Sequence, residues 1–195
     1  MASLSSDIQT TGAQRTWLQN WLLASLMTGV TVVCARFAEF IPHTPVPFTL
    51  QVFAVLLTGL LLGRRWSVVA QLQYLALGAV GLPVFARGGV GFASLLAVTG
   101  GYLLSYPVAA GLVGWIAGGS GATGATLPRQ MAACAVGLAV IYGFGCVWFA
   151  AVVHKPLFAV VLPGALIFFA WDSVKAAVAI AVARGISVRQ KPAGD

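Results

Sequence analysis

The sequence predicts an all-α integral membrane protein with six transmembrane helices. The prediction rests on the composition, since 59% of the 195 residues are hydrophobic and only 8% are charged. The mean hydropathy is +0.94, whereas an ordinary soluble domain has about 25% charged residues. So few charges cannot cover a water-facing surface. At about 20 residues per span, the length allows six or seven spans and no separate soluble domain.

Six apolar runs give the predicted helices in chain order. They cover residues 17–37, 48–63, 66–82, 92–118, 129–153 and 157–183. One transmembrane domain is therefore expected over 17–185, with flexible cytoplasmic tails at 1–16 and 186–195. The first run is longer than a signal-peptide core, so it is expected to be a retained span.

The second and third runs are short and meet at the polar sequence Gly63-Arg64-Arg65-Trp66. This pattern predicts a tight turn between two antiparallel helices. Because lipid does not tolerate exposed irregular backbone, such short segments are expected to line a cavity. The glycine-rich linker 118–124 is expected to be flexible.

The basic residues predict the orientation in the membrane. With both termini in the cytoplasm, seven lie inside: Arg15, Arg64, Arg65, Arg129, Arg184, Arg189 and Lys191. Three lie outside: Arg36, Arg87 and Lys155. This bias favours cytoplasmic N- and C-termini. It places the loops 40–47, 81–91 and 154–156 on the outer face, where a ligand cavity is expected to open.

Two charges interrupt the last apolar run, Asp172 and Lys175, which share one helical face at i and i+3. Pro163 suits the first turn of this helix, which would put Asp172 roughly 13–14 Å deep. A charge at that depth costs about 2.5–3.5 kcal/mol on insertion scales and usually faces a cavity. We expect a polar ligand clamp; the alternative is a salt bridge that only neutralises itself.

Other polar or small residues on neighbouring runs are candidates for the same cavity. They are Thr49, Gln51, Gln71, Gln73, Tyr74, Thr99, Gly100, Gly101 and Tyr102, with Arg87 in an outer loop. The paired glycines would let a ligand approach the main chain, and Tyr102 offers a ring and a hydroxyl. Helix packing is the alternative for each, and contact with lipid headgroups is the alternative for Arg87.

Several function classes are disfavoured. The chain has no P-loop motif, so it is not expected to hydrolyse ATP, and no nucleophilic triad, metal motif or cofactor motif can be assembled. The net charge of +7 lies mostly in short breaks between apolar runs, which favours a membrane over a nucleic acid as partner. Cys34, Cys134 and Cys146 are expected to be small buried hydrophobes.

Small residues recur at helical spacing on three runs. The stripes are Ala110, Gly114 and Gly118; Ala24 with Thr28 and Ser25 with Gly29; and Ala176, Ala179 and Ala183. Such stripes let helices approach closely within a membrane. Internal packing is the main expectation. The alternative is a face for another membrane protein or for self-association.

Four motifs together resemble one known family. The runs Val46–Gln51, Tyr74–Ala86 and Thr99–Leu103, followed by Asp172-x-x-Lys175, are similar to the BioY family. These proteins are the biotin-specific substrate-binding (S) components of energy-coupling-factor (ECF) transporters. The likeness covers nearly the whole chain after residue 17.

The resemblance implies high-affinity capture of biotin from outside a bacterial cytoplasmic membrane, without enzyme activity. The implied partners are a transmembrane coupling protein and two ATP-binding-cassette ATPases. Asp172 and Lys175 would bind the ureido ring, Gly100-Gly101-Tyr102 would line the pocket, and Arg87 would suit the valeryl carboxylate. An S-component for another vitamin, or a membrane scaffold that transports nothing, remains the alternative.

Overall fold

The computed structural model describes residues 16–39, 44–118 and 125–189. The tails 1–15 and 190–195 lie outside the described residues. So do residues 40–43 of the proline-rich loop, including His43, and 119–124 of the glycine-rich linker.

Seven α-helices and four short elements make up the described fold. The helices are α1 (Trp17–Arg36), α2 (Gln51–Ala79), α3 (Gly91–Leu96), α4 (Gly100–Ile116), α5 (Leu127–Val153), α6 (Leu157–Val161) and α7 (Ile167–Arg189). A π-helical turn, Leu162–Leu166, joins α6 to α7, and a 3-10 turn covers Ala86–Gly88. Strands β1 (Ala38–Glu39) and β2 (Phe48–Thr49) form a two-residue antiparallel ladder.

The chain reverses direction inside α2 at Gly63. Its backbone has φ 70° and ψ −176°, a conformation almost restricted to glycine. Across the reversal, Gln51 Nε2 donates to Tyr74 Oη at 2.6 Å. A straight helix would separate these residues by about 34 Å, so residues 51–62 and 64–79 form two antiparallel arms. The predicted tight turn is therefore confirmed.

The arms of α2 belong to a bundle whose helices alternate in direction. Three contacts mark one end of it, joining Trp21 to Trp66, Arg64 to Trp115, and Arg184 to Gln130. That end holds the start of α1, the Gly63 turn, the end of α4, the start of α5 and the end of α7. Both ends of the described chain thus lie on one side, as an even number of spans requires.

Four helices are long and apolar enough to cross a membrane, namely Trp17–Arg36, Gln51–Ala79, Leu127–Val153 and Leu157–Ile186. Helix α4 is apolar but shorter, at 17 residues. Because α2 contains two arms, six principal helical segments result. The chain is an all-α, multi-pass membrane protein. Which end faces the cytoplasm stays a prediction.

Two details of the predicted helices were wrong. The run 92–118 is not one helix, because the backbone is extended at Ala97 (ψ 174°) and α3 ends there. Pro163 does not lie in a first turn, because the last helical run begins at Leu157 after Pro156 and continues through the π-helical turn into α7. Asp172 lies about midway between Leu157 and Arg189, roughly 22 Å along this run rather than the 13–14 Å expected from Pro163.

Most of the small-residue stripes serve internal packing, as predicted. A Cβ on Gly114 would come within 2.8 Å of the Gly63 carbonyl oxygen, so α4 lies directly against the α2 reversal. Ala176, Ala179 and Ala183 are buried, as are Ala24 and Thr28. Ser25 and Gly29, by contrast, are exposed on α1. All three cysteines are free and buried, which confirms that prediction.

Candidate ligand-binding site

A cavity of about 300 Å³ lies among the first arm of α2, α4, α5 and the last helical run. Loops at the end opposite the Gly63 reversal surround its mouth. Its apolar lining includes Val46, Val52, Phe85, Leu103, Ile141 and Phe168. This volume is at the lower end of the range for small-molecule sites, so the cavity suits a compact ligand with a largely apolar body.

The charged pair Asp172 and Lys175 lies in the cavity wall. The side chains are buried, and Lys175 Nζ lies 2.7 Å from Asp172 Oδ1. The ammonium also donates to the Thr49 carbonyl oxygen at 2.7 Å and lies 3.7 Å from the centroid of the Phe48 ring. An ammonium has three donors, and two of them bond these protein oxygens. Lys175 therefore ties the segment before α2 to the last helix.

Tyr142 on α5 holds the second oxygen of Asp172. Its hydroxyl donates to Asp172 Oδ2 at 2.6 Å, while Lys175 occupies Oδ1. Each carboxylate oxygen therefore accepts one hydrogen bond from the protein. Since a carboxylate has about four acceptor positions, it keeps the capacity to accept N–H groups from a ligand.

Sequence reasoning missed Tyr142. A tyrosine in an apolar span is usually taken for packing, and nothing in the spacing along α5 points to residue 172. The available signal was chemical, because a buried hydroxyl in a membrane helix needs a partner. Asp172 is such a partner on another helix.

The π-helical turn anchors two neighbours of the cavity. Proline has no N–H and interrupts the regular helical ladder, and π turns of this kind recur at functional sites. Thr44 Oγ1 donates to the Pro163 carbonyl oxygen at 2.6 Å, and Tyr102 Oη donates to that of Gly164 at 2.7 Å. The segment before α2 and the start of α4 are thus both fixed to the last helical run, about two turns before Asp172.

The structure brings seven of the sequence candidates into the cavity wall. They are Thr49, Gln51, Arg87, Thr99, Tyr102, Asp172 and Lys175. They extend from Thr49 to Lys175, so the bundle gathers residues that lie far apart in the sequence.

Other candidates lie outside that wall. Gln73 Oε1 accepts a hydrogen bond from Thr28 Oγ1 at 2.9 Å and so links α1 to α2. Tyr74 lies behind the wall, where its hydroxyl contacts Gln51 and donates to the Val84 carbonyl oxygen at 3.3 Å. Its role is to support Gln51.

Gln71 also lies away from the cavity, between α1 and the two arms of α2. Its Nε2 donates to Thr31 Oγ1 at 3.3 Å and lies 3.5 Å from Thr58 Oγ1. It therefore connects three helical segments.

Gly100 and Gly101 make room for neighbouring helices. A Cβ on Gly100 would overlap the Leu95 carbonyl oxygen of α3. A Cβ on Gly101 would overlap the Trp148 side chain and come within 2.7 Å of the Phe144 carbonyl oxygen. Trp148 Nε1 also donates to the Ala97 carbonyl oxygen at 3.0 Å. These glycines therefore determine where α4 begins and how it presents Tyr102.

Arg87 is an exposed residue of the 3-10 turn at the cavity mouth, with φ 57°. A second arginine, Arg36, lies beside the same turn. Its guanidinium donates to the Pro83 carbonyl oxygen and approaches Gly88, where a Cβ would be 3.9 Å from Nη1. Arg87 therefore places a positive charge at the mouth, which can attract an anionic group.

Among the residues that the structure describes, no group of His, Cys, Asp and Glu could hold a metal ion. The polar side chains in the cavity wall are the buried charged pair, hydroxyl and amide groups, and Arg87 at the mouth.

Comparison of the sequence with known proteins identifies its family. The sequence matches the BioY family over residues 5–191. It is 39% identical over 163 residues to the "Probable biotin transporter BioY" of Pyrococcus horikoshii, covering 83% of this chain and 91% of that protein. It is 34% identical over 166 residues to the "Biotin transporter BioY" of Thermotoga maritima, covering 85% and 94%.

The fold is similar to a crystal structure of the S-component for biotin from an ECF-type ABC transporter. The TM-score is 0.80 at 22% sequence identity, over 89% of this chain and 94% of that one. The six principal helical segments are thus those of a solved S-component fold. With the family match and the two relatives, this similarity establishes that the chain belongs to the BioY family.

Proposed function

We propose that this chain binds biotin in the cavity and serves as the S-component for biotin uptake by an ECF-type transporter. The observation that carries the proposal is the buried Asp172–Lys175 pair, which lies in the wall of a largely apolar cavity. A charge at membrane depth costs free energy, and such residues usually mark a substrate or ion path. Membership of the BioY family supplies the identity of the ligand.

The ureido ring of biotin complements the pair and its neighbours. It has two N–H donors and one carbonyl acceptor, so Asp172 accepts from the N–H groups while Lys175 and nearby hydroxyls supply donors. The bicyclic body and the valeryl chain would contact apolar residues such as Val52, Leu103 and Phe168.

The two ends of the cavity support one direction for the ligand. The ureido ring lies at the buried pair, and the valeryl carboxylate points to the mouth, where Arg87 is exposed. An arginine binds a carboxylate through paired N–H donors. With the N-terminus cytoplasmic, as the basic residues predict, this mouth faces outward and biotin enters from that side.

Energy for uptake is assigned to partner proteins. The sequence has no P-loop, so a coupling protein and ATP-binding-cassette ATPases would drive release of biotin to the inside. Relatives come from archaea as well as bacteria. We therefore place the chain in a prokaryotic cytoplasmic membrane, and in the bacterial inner membrane if its host is a bacterium.

Calorimetric titration of the detergent-solubilised protein tests the assignment. The wild type should bind biotin without ATP, and Asp172→Asn should abolish measurable binding because the amide supplies one acceptor and leaves Lys175 without its counter-ion. The matched control is Ser173→Ala on the exposed side of the same turn, whose hydroxyl bonds its own helix at Phe169. This control should bind normally. Undiminished affinity in Asp172→Asn would refute the site.

A competition panel separates the alternatives. Labelled biotin should be displaced by unlabelled biotin and not by other vitamins. Preferential displacement by another vitamin would assign the chain to that ligand. Absence of binding to every member of the panel would favour a membrane scaffold.

A further inference from the structure

A second cavity, of about 320 Å³, opens at the bundle surface between the second arm of α2 and α4. We call it the α2–α4 groove and define it by Arg64, Val68, Pro107, Gly111, Leu112 and Trp115. It lies near the end of the bundle that holds the Gly63 reversal, away from the proposed biotin site, with which it shares no lining residue.

The floor of the groove lies where α4 packs closely against the second arm of α2 at Gly111. A Cβ there would come within 2.7 Å of Val68 Cγ2, so a larger residue would push the two segments apart. Pro107, Gly111 and Trp115 follow one another at intervals of four residues, which places them on one stripe of α4. The stripe is roughly 12 Å long and forms an elongated apolar channel.

One end of this channel carries the positive charge of Arg64. Arg64 is exposed, and its guanidinium carbon lies 5.9 Å from the centroid of the Trp115 ring. A guanidinium stacked on an aromatic face presents its N–H groups at its edge, where a phosphate can bind. Arg65 is also exposed but does not line the groove.

We propose that the α2–α4 groove binds one anionic phospholipid, with its phosphate at Arg64 and an acyl chain along Val68 and Gly111. The chemistry of such a lipid matches both parts of the groove, because it joins an anionic head to an apolar chain. The position of the groove along the bundle is also consistent with a lipid headgroup. Tryptophans are enriched at membrane–water interfaces, and Trp21, Trp66 and Trp115 lie at this end of the bundle. The basic residues predict that this end faces the cytoplasm, where anionic lipids attract cationic segments.

Native mass spectrometry of the purified full chain tests the proposal. The protein is mixed with dioleoyl-phosphatidylglycerol, with zwitterionic dioleoyl-phosphatidylcholine, or with glycerol phosphate, which lacks acyl chains. The wild type should retain one phosphatidylglycerol with several-fold preference over phosphatidylcholine, because both lipids carry a phosphate but the choline ammonium cancels its charge and is repelled by Arg64. Glycerol phosphate should neither bind nor compete at similar concentrations.

Two variants and one matched control locate the site. Arg64→Gln should lower retention of phosphatidylglycerol about ten-fold, and Trp115→Leu should lower it several-fold. Arg65→Gln removes an equal charge from the adjacent exposed position, which does not line the groove, and should retain the lipid. Biotin binding in all three variants checks that they are folded.

Four outcomes would overturn the proposal. Equal retention of the lipid by Arg64→Gln and wild type would do so. Equal losses of retention in Arg64→Gln and Arg65→Gln would also do so, because they would indicate diffuse charge attraction. Binding of glycerol phosphate as tight as that of the lipid would mean a phosphate site without an acyl channel. If Arg64→Gln instead lost co-purification of the ATPase module with lipid retention unchanged, the groove would be a protein-docking face.

Discussion

Tyr142 on α5 and Asp172 on α7 are joined by a hydrogen bond of 2.6 Å from the tyrosine hydroxyl to Oδ2. Because Lys175 holds Oδ1, the carboxylate is fixed by two helical faces at once. The orientation of the proposed ligand acceptor therefore depends on α5 as much as on the helix that carries it.

Removal of this hydroxyl should weaken ligand binding without unfolding the protein. In Tyr142→Phe, Oδ2 loses a charge-assisted donor, and the carboxylate becomes free to rotate away from the ligand position. We expect biotin affinity to fall about ten-fold, the equivalent of one charge-assisted hydrogen bond. Titration calorimetry measures the change.

The control for that variant is Tyr106→Phe, which removes a hydroxyl from the same cavity wall. In the described structure this hydroxyl does not donate to Asp172. Affinity should change less than in Tyr142→Phe. A larger loss in the control would mean that Tyr142 does not position the carboxylate.

Replacing Lys175 alone should lower stability, and replacing both members of the buried pair should restore part of it. Biotin binding should be lost in both cases. Lys175→Met leaves Asp172 without its counter-ion in a buried site, which lowers stability on the order of 3–5 kcal/mol. Adding Asp172→Asn removes the unpaired charge, so the double variant should melt at a higher temperature than Lys175→Met alone. Neither variant should bind biotin. Tryptophan fluorescence melting in detergent gives the stability order.

Recovery of stability without recovery of binding would separate the two roles of the pair. If the double variant melted at the same temperature as Lys175→Met, or lower, the pair would be primarily a structural salt bridge. Wild-type affinity in either variant would also contradict the ligand role.

Gly101 should be essential for packing rather than for contact with the ligand. Gly101→Ala introduces a Cβ that overlaps Trp148, and overpacking of this kind typically destabilises by about 1–3 kcal/mol. We expect a lower melting temperature, while the folded fraction keeps its biotin affinity within about three-fold. Melting curves with and without saturating biotin measure both.

A matched glycine is available on α5. A Cβ on Gly143 would meet nothing within 4 Å, so Gly143→Ala should leave stability unchanged or raise it slightly, in line with helix propensity. Equal destabilisation in both variants would contradict the packing explanation for Gly101.

Arg87 should discriminate between biotin and its neutral amide. Arg87→Gln removes a carboxylate partner at the exposed mouth, and we expect biotin affinity to fall by a few-fold to about ten-fold, because solvent screening limits exposed pairs. Affinity for biotinamide should hardly change. Lys155→Gln, another exposed outer cation, is the control and should affect neither ligand. An equal loss for both ligands in Arg87→Gln would place the carboxylate elsewhere.

The sequence alone was sufficient for the class of protein and for the main helical segments. Hydropathy is a property of consecutive residues, so apolar runs identify spans without tertiary information. The reversal at Gly63 and the position of Asp172 and Lys175 inside the last apolar run followed for the same reason. The break between α3 and α4 was missed because apolar residues continue through Ala97.

Only the tertiary structure decided which way each helical face points. In water, polar residues mark the outside of a helix, but lipid is as apolar as a protein core, so this signal is lost. Leu22 and Leu26 are each 62% exposed, whereas Leu56 and Leu60 at the same spacing are 0% and 1% exposed. For the same reason, the sequence could not show that Gly101 faces α5 or that Gln73 faces α1. The contact between Lys175 and the Thr49 carbonyl oxygen joins residues 126 positions apart, and only the packing of the bundle brings them together.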